Sequence, residues 1–438
     1  MKTNILVVAL LAGLAALVTI GRFQVANGVD FYQYWGVGKA QKWSSSPLNS
    51  PSAEQEKYAE VLNDHVAHSA DLRLSKANET RRELELLQTP LCYSFFTLLP
   101  ANFSLALGIF QIIQVILFLS ALLMLSAVSY GNWLRLLTWG LLLTIFYGPL
   151  TADIKVGNLN CLHLFGFASL LVLADRVLAK HAPGSAMGAS MGFMAILIFL
   201  TLMKPNWNLV TVLLAAYLWA DRGTAIFARV AAAGAVFGAV LLTWPCVQFD
   251  SWMVWQDWYR YLQSWDSASM LVRIPEGNYA PVLLVSRILG SSVLTAVVLL
   301  GALLAASLLI ALMMAREKKA SFGKDMARAA IRSLRDPNLT MATGITVTLL
   351  LSPLVWFHYY LISLIPAFWL LSPGHPWSQA HRAGWIAIIL TSNLITGVMR
   401  IWFGFTYQIT YVAAAFGLVA LWAGILAAVA APQKPQRP

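Results

Sequence analysis

Four short polar stretches interrupt an otherwise apolar chain, and each carries side chains able to bind or activate a substrate. The first, "VDFYQYW" (residues 29–35), sets Asp30 among aromatics that include Tyr34. The second, "TADIKVGNLN" (151–160), offers Lys155, Asn158 and Asn160; the third, "MKPNWN" (203–208), offers Lys204 and Asn206. The last, "SPLVWFHYY" (352–360), offers Trp356 and His358. A carboxylate can take the proton of an attacking hydroxyl as general base. Lysine and histidine can neutralise a departing phosphate, and carboxamides can both donate to and accept from sugar hydroxyls. Taken singly, each has a plain structural explanation: Asp30 as a helix N-cap, Lys204 as a snorkelling cation, Pro353 as a loop break, His358 as an interfacial polar residue. One acid, two lysines, a histidine and several carboxamides at the same membrane face argue instead for a common site.

The elements that must position these residues are membrane spans. The chain has 438 residues, of which 59% are hydrophobic, and a mean hydropathy of +0.67. That is more apolar surface than one soluble core can bury, and it comes in long runs. A span needs roughly 17–25 apolar residues. We read an all-α polytopic membrane protein, a single domain over 1–438, with about twelve candidate spans: 5–21, 103–128, 136–150, 159–175, 188–203, 207–220, 224–244, 281–314, 340–352, 359–372, 383–399 and 408–430. The first reads as an uncleaved anchor, because it is span-length and no small-x-small cleavage site precedes Asn27. Cys92, Cys161 and Cys246 are too few and scattered for a disulfide framework or a zinc site, and read as buried hydrophobes.

Basic residues orient the chain. With the N-terminus inside, short cytoplasmic loops hold Lys2, Arg135, Arg176, Lys180, Arg222 and Arg382, and the loop 315–338 holds a cluster from Arg316 to Arg335. The polar tail 432–438 adds Lys434 and Arg437. The net charge of +11 is then mainly a topology signal, with the Arg316 to Arg335 stretch a helix lying on anionic lipid. No aromatic or base-reading pattern accompanies it, so nucleic acid is excluded as a partner. The segment 22–101 is a large outer loop; Tyr58, Val61, Leu62 and Val66 recur there at helical spacing and predict amphipathic helices. A second outer loop, 245–280, is rich in Trp and Tyr and reads either as an interfacial anchor or as the lining of a path for a lipid-linked substrate. Arg260, Arg273 and Arg400 also fall on the outer side, facing substrate or headgroups.

Several classes are disfavoured. The chain shows no internal repeat and almost no charge in the middles of its spans, unlike many transporters and pumps. "GASMG" (188–192) matches a nucleophile elbow literally but opens a span rather than a strand-turn-helix; Gly184, Gly188 and Gly192 form a small-residue packing stripe. His65 and His68 lack a further ligand at metal spacing. No Walker or dinucleotide glycine pattern occurs. An outer-face site has no nucleotide sugar available, so an activated donor must arrive attached to a lipid; sugar on polyprenyl phosphate meets that requirement.

With these residues in view, the chain resembles the membrane-embedded C-type glycosyltransferases, whose shared feature is an acid at the start of a large first outer loop. The further set is similar to glycosyltransferase family 87, which includes polyprenyl-phosphate-mannose-dependent mannosyltransferases. "VDFYQYW" resembles the family's acid-aromatic segment; "GNLN" (157–160) resembles Gly-Gln-x-Asn, with Asn158 in place of glutamine; "KPN" (204–206) resembles Lys-Pro-Gln; "SPLVWFHYY" resembles Ser-Pro-x-x-Trp-x-His. The resemblance implies a GT-C-like fold and a plasma-membrane enzyme working at the periplasmic or extracellular face. It would move a hexose or pentose, mannose-like, from polyprenyl phosphate to a hydroxyl of an envelope glycan or glycolipid. Asp30 would be the base; Lys155, Lys204 and His358 would hold the donor phosphate; Tyr34, Asn158, Asn160, Asn206 and Trp356 would contact sugar or substrate. Asp30 has Val29 and Phe31 beside it and no second acid until Glu54, whereas a hard cation wants several oxygen ligands. We therefore expect no metal and no cofactor, and single displacement with inversion. The alternatives are a lipid or polysaccharide transporter without chemistry, and a glycan polymerase or ligase using a diphosphate-linked donor.

Overall fold

The computed structural model describes residues 2–81, 84–129, 133–178, 186–264, 277–314, 330–331, 333–372, 378–392 and 407–430. Arg273, Arg400, Lys180, Gly184 and most of the Arg316 to Arg335 cluster lie outside the described residues, as does the tail 432–438. Among the described residues the chain is helical, with one isolated bridge between Asn278 and Trp356 and no sheet.

Helix α1 (Lys2–Val25) is followed by α2 (Val29–Trp43), α3 (Gln55–Ala67), α4 (Leu72–Arg81) and α5 (Pro90–Phe96). Then come α6 (Phe103–Ser129), α7 (Trp133–Phe146), α8 (Gly148–Val156) and α9 (Asn160–Val172), the last prolonged by a π-helical turn, Leu173–Leu178. Helices α10 (Met187–Met203), α11 (Asn208–Arg222), α12 (Thr224–Gln248), α13 (Val254–Gln263), α14 (Pro281–Leu289) and α15 (Val293–Met314) continue the chain. It closes with α16 (Pro337–Leu351), a 3-10 stretch Phe357–Ser363, α17 (Leu364–Leu370), α18 (Ser378–Thr391) and α19 (Tyr407–Ala430). Prolines set many of these boundaries: Pro90, Pro149, Pro281 and Pro337 all sit in the first turn of a helix, where the missing N–H has no partner to lose. Asp336 caps α16 through the amides of Asn338 and Leu339.

Among the described residues, five helices are by themselves long and apolar enough to cross a membrane: Phe103–Val128, Asn160–Leu178, Thr224–Gln248, Val293–Met314 and Ile409–Ala430. The pair formed by α1 and α2, bent by 60°, makes a sixth if counted as one span. The other expected spans are either interrupted or matched by apolar helices too short to cross by themselves, and 393–399 lies outside the described residues. The run 136–150 breaks at Tyr147, which adopts extended backbone between α7 and α8. The run 281–314 breaks at Gly290, and Met187–Met203, Pro337–Leu351 and Phe357–Leu370 are apolar but short. Several long apolar helices thus mark a membrane-embedded protein. Helices α12 and α15 leave Val236, Val240, Leu294 and Leu303 exposed, an apolar surface suited to lipid rather than water.

The segment 22–101 packs into a second core that it shares with the start of α6 and the ends of α10 and α12. Helix α2 buries Phe31, Tyr32, Tyr34 and Trp35 against Tyr58 and Leu62 of α3, Leu74 and Ala77 of α4, and Phe96 and Phe103 beyond them. Phe31 sits edge-on to Phe96 (5.5 Å) and Phe103 (5.6 Å), each such pair worth about 0.5–1.5 kcal/mol beyond area burial. The amphipathic helices expected here therefore close over the aromatic face of α2. His65 stacks on Trp43 at 3.7 Å. Buried Arg22 donates to the carbonyls of Thr144 and Ile145, tying α1 to the otherwise unsatisfied end of α7.

Candidate active site

The site is assembled where α2, α8, α9, the end of α10 and the 3-10 stretch meet. Gly28, in the left-handed conformation at φ 60°, is the N-cap of α2, and its amide donates to the carbonyl of Lys155 at 3.0 Å. That bond ties the start of α2 to the end of α8. Asp30 is therefore in the first turn of α2 and makes no cap, so the N-cap explanation fails; its charge is favoured there by the helix dipole. Gly157 ends α8 at φ 71°, where a methyl group would stand 2.5 Å from Cβ of Phe31. The two segments approach this closely because position 157 has no side chain.

Asn158 follows, and its amide is the hub. Its Nδ2 donates to Asp30 Oδ2 at 2.6 Å and to the Tyr34 hydroxyl at 3.1 Å. Its Oδ1 accepts from Lys204 Nζ at 3.0 Å, Asn160 Nδ2 at 3.2 Å and the amide of Leu159 at 2.7 Å. A reversed amide would set oxygen against a carboxylate and nitrogen against an ammonium, so the partners fix its orientation. Lys204 follows α10 in extended backbone and is 1% exposed. Its ammonium also donates to Asn160 Oδ1 at 3.1 Å and lies 3.7 Å from the centroid of the Tyr359 ring. Burial pushes Lys204 down to about 8, against the opposing pull of Asp153 and Asp30. Burial raises the Asp30 carboxyl above its ordinary range, opposed by the charge of Arg81 and the bond from Asn158.

Asp30 Oδ1 takes no hydrogen bond among the described residues and the side chain is 18% exposed, so one carboxylate oxygen remains open to a substrate proton. His358 approaches from the 3-10 stretch: its Nε2 is buried, has no hydrogen-bond partner among the described residues, and stands 4.0 Å from Asp30 Oδ2. An orphaned buried nitrogen marks a place that a ligand or water completes. The stretch is held by a residue the sequence did not single out. Asn278 accepts from the Val355 amide at 2.9 Å and donates to the Pro353 carbonyl at 3.0 Å, and Tyr147 donates to the Tyr360 carbonyl at 3.0 Å.

The structure thus brings together Asp30, Tyr34, Asn158, Asn160, Lys204 and His358. Lys155 stays apart: its side chain is exposed, and only its backbone carbonyl serves the site. The residue of that turn that does enter is Asp153, fully buried and bonded to Asn160, so Asp30 has a second acid within its network after all. Asn206 is exposed in the 3-10 turn Pro205–Trp207, and Trp356 is half-buried beside Gly277; neither joins the network. Arg260 on α13 is exposed and pairs with Asp257 at 3.7 Å. Arg81, which sequence reasoning passed over, pairs with Glu85 at 2.5 Å and its charge reaches Asp30. Compared with protein-family models, curated proteins and solved structures, the chain matches none.

Proposed function

We propose that the chain is a C-type glycosyltransferase that moves a hexose or pentose, mannose-like, from polyprenyl phosphate to a hydroxyl of an envelope glycan or glycolipid. The observation that carries this reading is the pairing of an open Asp30 oxygen with a buried ammonium, Lys204, through the single amide of Asn158. Proton acceptor and phosphate-neutralising cation are then held at fixed separation, which is what a displacement at an anomeric carbon requires. Asp30 removes the acceptor's proton as its oxygen attacks; the bond from the anomeric carbon to the phosphate oxygen breaks, and the configuration inverts. Lys204 and His358 stabilise the charge that gathers on the departing polyprenyl phosphate. Asn158, Asn160 and Tyr34 orient the reacting groups, and a twelve-span GT-C-like arrangement, with the site at the outer face of the plasma membrane, is part of the same proposal.

We also propose that the reaction needs no metal. The bonded Asp30 oxygen is occupied by an amide N–H, the oxygens of Asn158 and Asn160 are turned to Lys204, and Asp153 is bonded to Asn160, which leaves one open oxygen where a hard cation wants several. Membranes containing the protein, incubated with a panel of polyprenyl-phosphate sugars and an acceptor lipid extract, should transfer one sugar with release of polyprenyl phosphate, with or without a chelator. Release of no polyprenyl phosphate from any donor would overturn the reading.

A further inference from the structure

We infer that Asp153 is a positioning residue for Lys204: acting through Asn160, its carboxylate fixes where the ammonium stands and supplies it with a second anion besides Asp30. The inference rests on the proposed glycosyl transfer only for its consequence in catalysis. The geometry is a chain of five side chains. Asp30 accepts from Asn158 at 2.6 Å, Asn158 accepts from Lys204 at 3.0 Å, Lys204 also donates to Asn160 at 3.1 Å, and Asn160 donates to Asp153 at 2.8 Å. Each amide presents oxygen to the cation and nitrogen to a carboxylate, so the cation is held from both sides by the same pattern.

Asp153 accepts hydrogen bonds at both oxygens of its carboxylate. It is 0% exposed, and besides Asn160 its carboxylate accepts from Gln114 Nε2 at 3.1 Å and the Cys161 amide at 3.2 Å. Its backbone carbonyl accepts from Gly157, Asn158 and Gln114, so the residue also shapes the turn from which Asn158 projects. A carboxylate this deep is costly without a counter-charge, and the cation its hydrogen bonds lead to is Lys204. The plainer role is an anion at the N-terminus of α9, where the Cys161 amide lies. An asparagine could keep the shape of that contact but not its charge, and this difference separates the two roles.

The ionisable groups facing Lys204 are Asp30 from α2, Cys92 from α5, Asp153 from α8, His163 from α9, and His358 and Tyr359 from the 3-10 stretch. Of these, Asp30 and Asp153 are the carboxylates, so removing Asp153 removes one of the two anions that favour the protonated ammonium. The test is the titration of Lys204 in the full-length protein in nanodiscs. Carbon-13 NMR of protein labelled at lysine Cε, titrated from about pH 6 to about pH 10 with the Lys204 signal assigned by its loss in Lys204→Arg, gives its midpoint without turnover. Asp153→Asn should lower that midpoint by about one unit or more; an unchanged midpoint in folded protein overturns the inference. Should Asp153→Asn fail to fold, the exchange Asp153→Asn with Asn160→Asp puts a carboxylate in direct contact with the ammonium. It should raise the midpoint above that of the unaltered protein, and no rise overturns the inference. Failure of the unaltered protein to transfer any sugar would sink the glycosyl reading while leaving this midpoint to stand or fall by itself.

Discussion

Gly157→Ala should damage the site without touching any polar side chain in it. Gly157 has φ 71°, and a left-handed residue carrying a Cβ costs about 1–2 kcal/mol. The new methyl would also stand 2.5 Å from Cβ of Phe31 and 3.5 Å from its Cα. Cβ is the root of a side chain and cannot rotate away, and Phe31 is packed against Phe96 and Phe103. Ordinary contact returns only if α2 or the end of α8 moves by about 1 Å. Asp30 is next to Phe31 and Asn158 is next to Gly157, so the same movement stretches their 2.6 Å hydrogen bond beyond the normal range. Loss of a bond to a charged group adds about 1.5–3 kcal/mol, and a displacement of this size at a reacting group costs about 100-fold in rate. Gly290→Ala is the control: it has φ 59° but nothing within 4 Å of the added carbon, so it carries the conformational cost alone. Thermal unfolding in detergent and transfer rates should be measured on both. Both variants should lose stability, Gly157→Ala more, and only Gly157→Ala should lose transfer. Equal losses of transfer in the two would refute the close-approach reasoning.

Other outcomes follow from the same geometry. Asn158→Ala and Asn160→Ala should lower transfer by about 100-fold, whereas Lys155→Ala and Asn206→Ala, whose side chains are exposed, should stay within a few-fold of the unaltered protein; the comparison needs only initial rates. Transfer should follow a bell-shaped pH profile. It falls on the acid side as Asp30, raised by burial, takes up a proton, and on the alkaline side as Lys204 loses its proton near about 8. A profile flat through that alkaline region would remove Lys204 from the charge balance. Lys204→Met should abolish transfer, and Lys204→Arg should restore little, because a guanidinium does not fit between Asn158, Asn160 and the Tyr359 ring.

Part of the element pattern was legible, because Pro90 marks a break where a helix does begin and the long apolar runs 103–128, 224–244 and 408–430 are helices of span length. The breaks at Tyr147 and Gly290 were passed over because the length of the apolar runs outweighed the turn signals inside them, Gly148-Pro149 and Gly290-Ser291-Ser292. The four polar stretches were legible as a set, and Asp30, Asn158, Asn160, Lys204 and His358 do converge. The choice between Asp153 and Lys155 was not open to sequence reasoning. Two residues apart on a helix they point about 200° from one another, so only one can face inward. Burial of α8 against Gln111 and Gln114 of α6 decides for Asp153. Asn206 was lost for a related reason: the 3-10 turn after Pro205 directs it outward while Lys204 turns in. Asn278 gave no signal, as its role is to hold a stretch about 75 residues away in sequence.

The central claim, that Asp30 is the proton acceptor of a glycosyl transfer, is tested most directly by Asp30→Asn assayed for release of polyprenyl phosphate from the sugar donor the unaltered protein accepts. The substitution keeps the shape of the side chain beside Asn158 and His358 and removes only its basicity. We predict a loss of at least about 100-fold in kcat with donor binding retained. Turnover near that of the unaltered protein would contradict the assignment.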